Sequence, residues 1–190
     1  MTYQTLYKWI WVLFIGIGLL SCKKDNDDGQ SLVEKYGLSG TFTARITPSF
    51  MGTNPVATGE HQIRFEDLGD GRIRMFFEKF RADPMPFEMT VDITMTVKKG
   101  PGNSLVLEGK DGIFRADPPD GNTIEPDDFI PGIQLPDGAE NGMSSSQASI
   151  SGTYEETEKD GEKALRYNLN VNPGLPLPIQ VLIYTRHKIS

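Results

Sequence analysis

From residue 38 onward the chain is written in twos. Phe87, Met89, Val91, Ile93, Met95 and Val97 alternate with Glu88, Thr90, Asp92, Thr94 and Thr96 without a slip. Successive side chains of a strand point to opposite faces, so this spacing predicts a half-buried antiparallel strand rather than a helix. The same period recurs at Phe42, Ala44 and Ile46, and at Ile63 and Phe65. It returns at Leu165, Tyr167, Leu169 and Val171, and at Ile179, Val181, Ile183 and Thr185, whose opposite face carries Leu182 and Tyr184. Eight strands are predicted, over 38–47, 60–68, 72–80, 87–98, 104–111, 147–156, 163–172 and 177–187.

Turn chemistry separates them. Gly69-Asp70-Gly71 supplies positive-φ positions between the second and third strands, and Gly100-Pro101-Gly102-Asn103 does so between the fourth and fifth. Asp160-Gly161 and Asn172-Pro173-Gly174 turn the last three strands into one another. Such short links make sequence neighbours sheet neighbours. One connection differs: Arg115 to Ser146 holds five prolines and seven carboxylates against the single cation Arg115, with little alternation. It is predicted as a long loop between strands five and six, of a length that in compact domains is functional or disordered. Leu32–Tyr36 carries a weak helical hint. Eight antiparallel strands in simple order solve their edge problem by closing, so the fold class expected is all-β, an eight-stranded antiparallel up-and-down barrel. A barrel of this size has room to fill its own interior or to hold one small ligand.

The front of the chain reads differently. Trp9 to Leu20 is a 12-residue apolar block preceded by Lys8. It is too short to span a bilayer and fits the apolar region of an export signal. It ends in Leu19-Leu20-Ser21-Cys22, which resembles the lipobox of bacterial lipoproteins. The resemblance implies lipid on the Cys22 sulfur, cleavage before Cys22, and anchoring by two or three acyl chains, which hold far better than one. Cys22 is the only cysteine, so an intramolecular disulfide is excluded, and the alternative is a free or buried thiol. Lys23-Lys24-Asp25-Asn26-Asp27-Asp28-Gly29 is too charged to bury and reads as a solvated tether. It is similar to the short Lys/Asp-rich signal of surface-exposed lipoproteins of Gram-negative bacteria. That implies an outer-membrane, lipid-anchored protein on the cell surface, the alternative being a plain spacer on the periplasmic side. The resulting organisation is a signal peptide at 1–21, a lipid-anchored acidic tether at 22–34 and a barrel domain at 35–190.

Gly37-Leu38-Ser39-Gly40-Thr41-Phe42, Gly69-Asp70-Gly71-Arg72-Ile73 and Ile150-Ser151-Gly152-Thr153-Tyr154 resemble the calycin-like (lipocalin-like) β-barrel domain of secreted bacterial lipoproteins. So do Lys163-Ala164-Leu165 and the ending Pro178-Ile179-Gln180-Val181-Leu182-Ile183. Lipocalins proper carry Gly-x-Trp in the first strand, with the indole plugging the barrel floor. Here Gly40-Thr41-Phe42 offers Phe42 at that place, and both tryptophans, Trp9 and Trp11, lie in the signal.

Charge and chemistry narrow the function. A net charge of −7 argues against nucleic-acid binding, which needs a basic surface. His61 and His187 have no second ligand at zinc spacing and read as surface or rim residues. No set of nucleophile, base and oxyanion donors assembles, so the chain is not expected to be an enzyme and no cofactor is implied beyond the lipid on Cys22. Asp117, Asp120, Glu125, Asp127 and Asp128 fall within twelve residues and can supply oxygen ligands to Ca²⁺, or form a solvated acidic loop. Met75, Met89 and Met95, with Phe65, Phe77 and Phe87, are predicted to face inward. Flexible thioethers and rings either line a pocket for a small apolar or amphipathic ligand or fill the core. Two functions follow. One is a ligand-binding barrel on a membrane anchor. The other is a cell-surface interaction protein with a filled barrel, contacting a protein or glycan through the 115–146 loop.

Overall fold

A computed structural model of the chain describes residues 31–50, 55–119, 123, 137–159, 162–175 and 179–189, with the backbone alone at 50, 156–159, 162–165 and 187. Eight antiparallel strands close into a barrel in up-and-down order. They are β1 (Gly40–Phe50), β2 (Gly59–Gly69), β3 (Arg72–Phe80), β4 (Glu88–Lys99), β5 (Leu105–Asp117), β6 (Met143–Lys159), β7 (Glu162–Asn172) and β8 (Ile179–Ile189). Closure runs through β8 against β1, from Thr41 opposite Ile189 to Phe50 opposite Ile179. The period-two faces point as the sequence implies. Phe87 precedes β4, and Met89, Val91, Ile93, Met95 and Val97 follow it inward, each at most 5% exposed. Ile63 and Phe65 do the same on β2, and Val181, Ile183 and Thr185 on β8.

The predicted loop between strands five and six is corrected at both ends. Phe114, Arg115 and Ala116 pair with Ser145, Ser144 and Met143, so 115–117 and 143–146 are strand. The alternation was hidden by a phase change. Leu105 and Leu107 point inward at odd positions, Phe114 and Ala116 at even ones, and the register slips between Gly109 and Gly112. The slip needs a glycine: a Cβ at Gly109 would sit 2.3 Å from the Thr94 carbonyl oxygen. Between the strands a 3₁₀ turn spans Ala139–Asn141, and residues 120–122 and 124–136 lie outside the described residues.

The order of strands fixes two unlike ends. The strand ends joined by 70–71, 100–104 and 160–161 meet at one end, together with the start of β1 and the end of β8. Those joined by 51–58, 81–87, 118–142 and 173–178 meet at the other. The chain therefore enters the barrel at the short-turn end, called the floor below, and the strand ends joined by the four longer connections lie at the opposite end.

Entry is made by α1 (Leu32–Lys35), a single turn whose N-cap Ser31 accepts the Glu34 N–H at 3.1 Å. The weak helical hint at Leu32–Tyr36 is thus a real element. Its Val33, and Leu38 beyond it, are fully buried.

Candidate functional site

The barrel interior was the expected site, and the structure brings its residues together. Phe65 on β2 lies directly opposite Met75 on β3, and Met75 opposite Ile93 on β4. Met95 pairs with Ile73 nearer the floor, and Met89 with Phe80 toward the loop end. Phe77, Phe80 and Phe87 complete this half, and Phe77 meets Phe80 edge-on at 6.5 Å. Met75, Met89 and Met95 are each 0% exposed, and Phe65, Phe77 and Phe87 no more than 2%. A water-sized sphere therefore touches none of the three methionine side chains. Of the two uses a barrel interior of this kind offers, the residues take the packed one.

The floor is built from rings. Phe65 stacks on Tyr167 at 4.0 Å with planes 3° apart, and Phe42 meets both edge-on at 5.4 and 5.3 Å. Tyr154 joins at 4.6 Å from Tyr167. Phe42 thus stands at the floor, as its position in Gly40-Thr41-Phe42 implied. Rings buried with hydroxyls need acceptors, and the entering chain supplies them. The Tyr167 hydroxyl donates to the Leu38 carbonyl at 2.6 Å and the Tyr154 hydroxyl to Tyr36 at 3.2 Å. Lys188 donates to the Gly37 carbonyl at 3.2 Å and lies 5.8 Å from the centre of the Phe42 ring. Three side chains from β6, β7 and β8 thereby fasten three successive carbonyls of residues 36–38 across the floor.

Burial, and secondarily Tyr154 beside it, holds the Tyr167 phenol well above its ordinary titration range. In the unfolded chain it ionises near pH 10. Above that pH the unfolded state binds fewer protons than the folded one, so stability falls as pH rises. Stability is expected to be insensitive to this group below about pH 10 and to drop beyond it. Urea midpoints measured between about pH 8 and pH 11 should fall less steeply in Tyr167→Phe than in the wild type.

No family model, curated protein or solved structure matches this chain. What stands is the architecture: a closed eight-stranded antiparallel barrel, compatible with the calycin-like fold that the sequence resembles.

The remaining candidates are placed as follows. Cys22 lies outside the described residues, as do Asp120, Glu125, Asp127 and Asp128 of the acidic set. Asp117 ends β5, where Arg115 holds its carboxylate through Nε at 3.1 Å and Nη2 at 2.7 Å. Among the described residues no group of three or more His, Cys, Asp or Glu is placed to hold a metal ion. His61 is half-buried near the loop end, its Nε2 3.0 Å from the Glu78 carbonyl and its ring beside Phe77 and Phe80. The His187 side chain lies outside the described residues.

The strand pattern includes Tyr167 and Thr185 but does not show the hydrogen bonds that Tyr154, Tyr167 and Thr185 make. Thr185 is fully buried, and its hydroxyl oxygen accepts the Tyr167 N–H at 2.7 Å. The β7–β8 ladder stops at Asn168 opposite Tyr184, so this oxygen takes the donor that the next rung would have used. The signal was present as a lone hydroxyl on an otherwise aliphatic inward face.

Proposed function

We propose that the chain is an exported lipoprotein, anchored through lipid on Cys22 at the outer membrane and facing the cell exterior, whose filled barrel serves as a rigid, non-catalytic interaction module. The observation that carries the choice is the interior itself. With Met75, Met89 and Met95 inaccessible to a water-sized sphere, an apolar ligand of drug or lipid size has no preformed place among them. Within the barrel the chain enters at the floor, and the ends of β5 and β6 that bear the 118–142 connection lie at the other end. Recognition residues concentrate on such connections when a rigid scaffold holds them.

The test is made in the native host. Cys22→Ser is expected to release the protein from the membrane fraction, and a protease added to intact cells should digest the wild-type barrel. A protein that resists external protease in intact cells but not in lysed ones would place it on the periplasmic side. Membrane retention of Cys22→Ser would remove the lipid from the account.

A further inference from the structure

The outer wall of β4 to β8 breaks the rules of strand composition. Asn168, Asn170 and Asn172 project outward in succession along β7, beside Ser149 and Ser151 of β6. Asparagine and serine are poor strand residues, and three asparagines on one face weaken the ladder they sit in. A local rule broken without a packing gain marks a functional surface.

Register puts these residues in rows across the sheet. One row runs Thr96, Glu108, Ser151, Asn170, Leu182, each opposite the next. The row beside it includes Thr153, Asn168, Tyr184 and Arg45. Over the first row the wall is hollowed into a groove of about 830 Å³ whose lining includes Gly109. Lys98 and Glu108 in its wall neutralise each other at 3.2 Å, leaving Lys110 as the remaining charged group of the lining. Asn170, in the lining, has its side-chain Oδ1 buried without a hydrogen-bond partner, and Asn168 in the adjacent row is exposed. On β8 Leu182 lies opposite Asn170 and Tyr184 opposite Asn168, 45% and 38% exposed, with Arg166 donating to the tyrosine hydroxyl and lying 5.4 Å from its ring centre.

We propose that this groove binds a neutral oligosaccharide, with Tyr184 of the adjacent row as the platform. The inference rests on the interaction-module reading and names its partner. Sugar hydroxyls both donate and accept, and so do amides and serine or threonine hydroxyls. The groove pairs like with like and brings almost no net charge. An exposed ring with a polar tip offers an apolar face to the C–H side of a pyranose and an edge to its hydroxyls. Nucleic acid would require a run of lysine and arginine in the lining, where Lys110 alone stands beyond the Lys98–Glu108 pair, and an apolar peptide would leave its amides unpaired.

The experiment is an amide-resolved NMR titration of the full chain in detergent with neutral hexasaccharides of glucose, mannose, galactose and xylose, up to about 10 mM. One of them is expected to shift the amides of 94–96, 149–153, 168–172 and 180–184. Tyr184→Ala should weaken that binding about tenfold. Ser151→Trp, which fills the groove from an exposed position, should abolish it. Asn168→Ala with Asn170→Ala serves as the second variant if the tryptophan disturbs the sheet, and should also abolish it. The groove assignment is overturned by no shifts with any of the four sugars, by binding that survives these variants, or by binding confined to an anionic sugar such as hyaluronan. A sugar-negative protein still exposed on intact cells overturns the groove alone and leaves the display reading in place.

Discussion

Replacing Tyr167 by alanine is expected to cost about 3–5 kcal/mol of folding stability, a large share of what a domain of this size possesses. The ring stacks on Phe65, meets Phe42 edge-on and touches Tyr154, so its removal opens the centre of the floor. The hydroxyl also satisfies the Leu38 carbonyl, which would be left without its donor. Tyr167→Phe separates the two contributions. It keeps the stack and loses the hydrogen bond, which should cost about 1–3 kcal/mol. Urea unfolding of both variants checks this. Near-equal losses would mean that the hydroxyl and not the ring holds the floor.

Met75→Ala is expected to cost about 2–5 kcal/mol and to leave a dry apolar cavity in the middle of the barrel. The side chain is fully buried, opposite Phe65 on one side and Ile93 on the other. Neighbours fixed in a closed hydrogen-bonded cylinder can collapse only partly into the space. The variant should therefore gain affinity for a benzene-sized molecule, and its urea midpoint should rise when benzene is added. A loss well under about 1 kcal/mol would mean that the thioether already lies beside empty space.

Strand period made most of the fold legible. The eleven-residue alternation ending at Val97 announced β4 and its inward face, and glycine-bearing turns announced the hairpin order that makes an up-and-down barrel. Legibility stopped where geometry departs from period two. At Gly109 to Gly112 the slip reversed the phase of β5, so Arg115 to Asp117 read as loop although they pair with β6. The six interior residues were placed correctly because inwardness is a one-dimensional property of a strand. Whether they enclose a space depends on how eight faces interlock, which no single strand records. The floor was legible only at Phe42. Its other half joins residues more than a hundred positions apart, Tyr154 to Tyr36 and Tyr167 to Leu38, and nothing local announces those bonds. The outer groove stands between these cases. Asn168 and Asn170 were visible as the polar half of an alternation, and only the register across β4 to β8 shows them sharing a wall with Ser151 and Tyr184.

The barrel is filled by its own side chains. Crystals of the wild-type protein held under xenon pressure test this filling most directly, because xenon enters apolar voids regardless of ligand identity. No xenon is expected inside the wild-type barrel, and one atom is expected to bind beside residue 75 in Met75→Ala. Xenon bound among Phe65, Met75, Met89 and Met95 of the wild type would contradict a filled barrel and return the interior to the role of a ligand site.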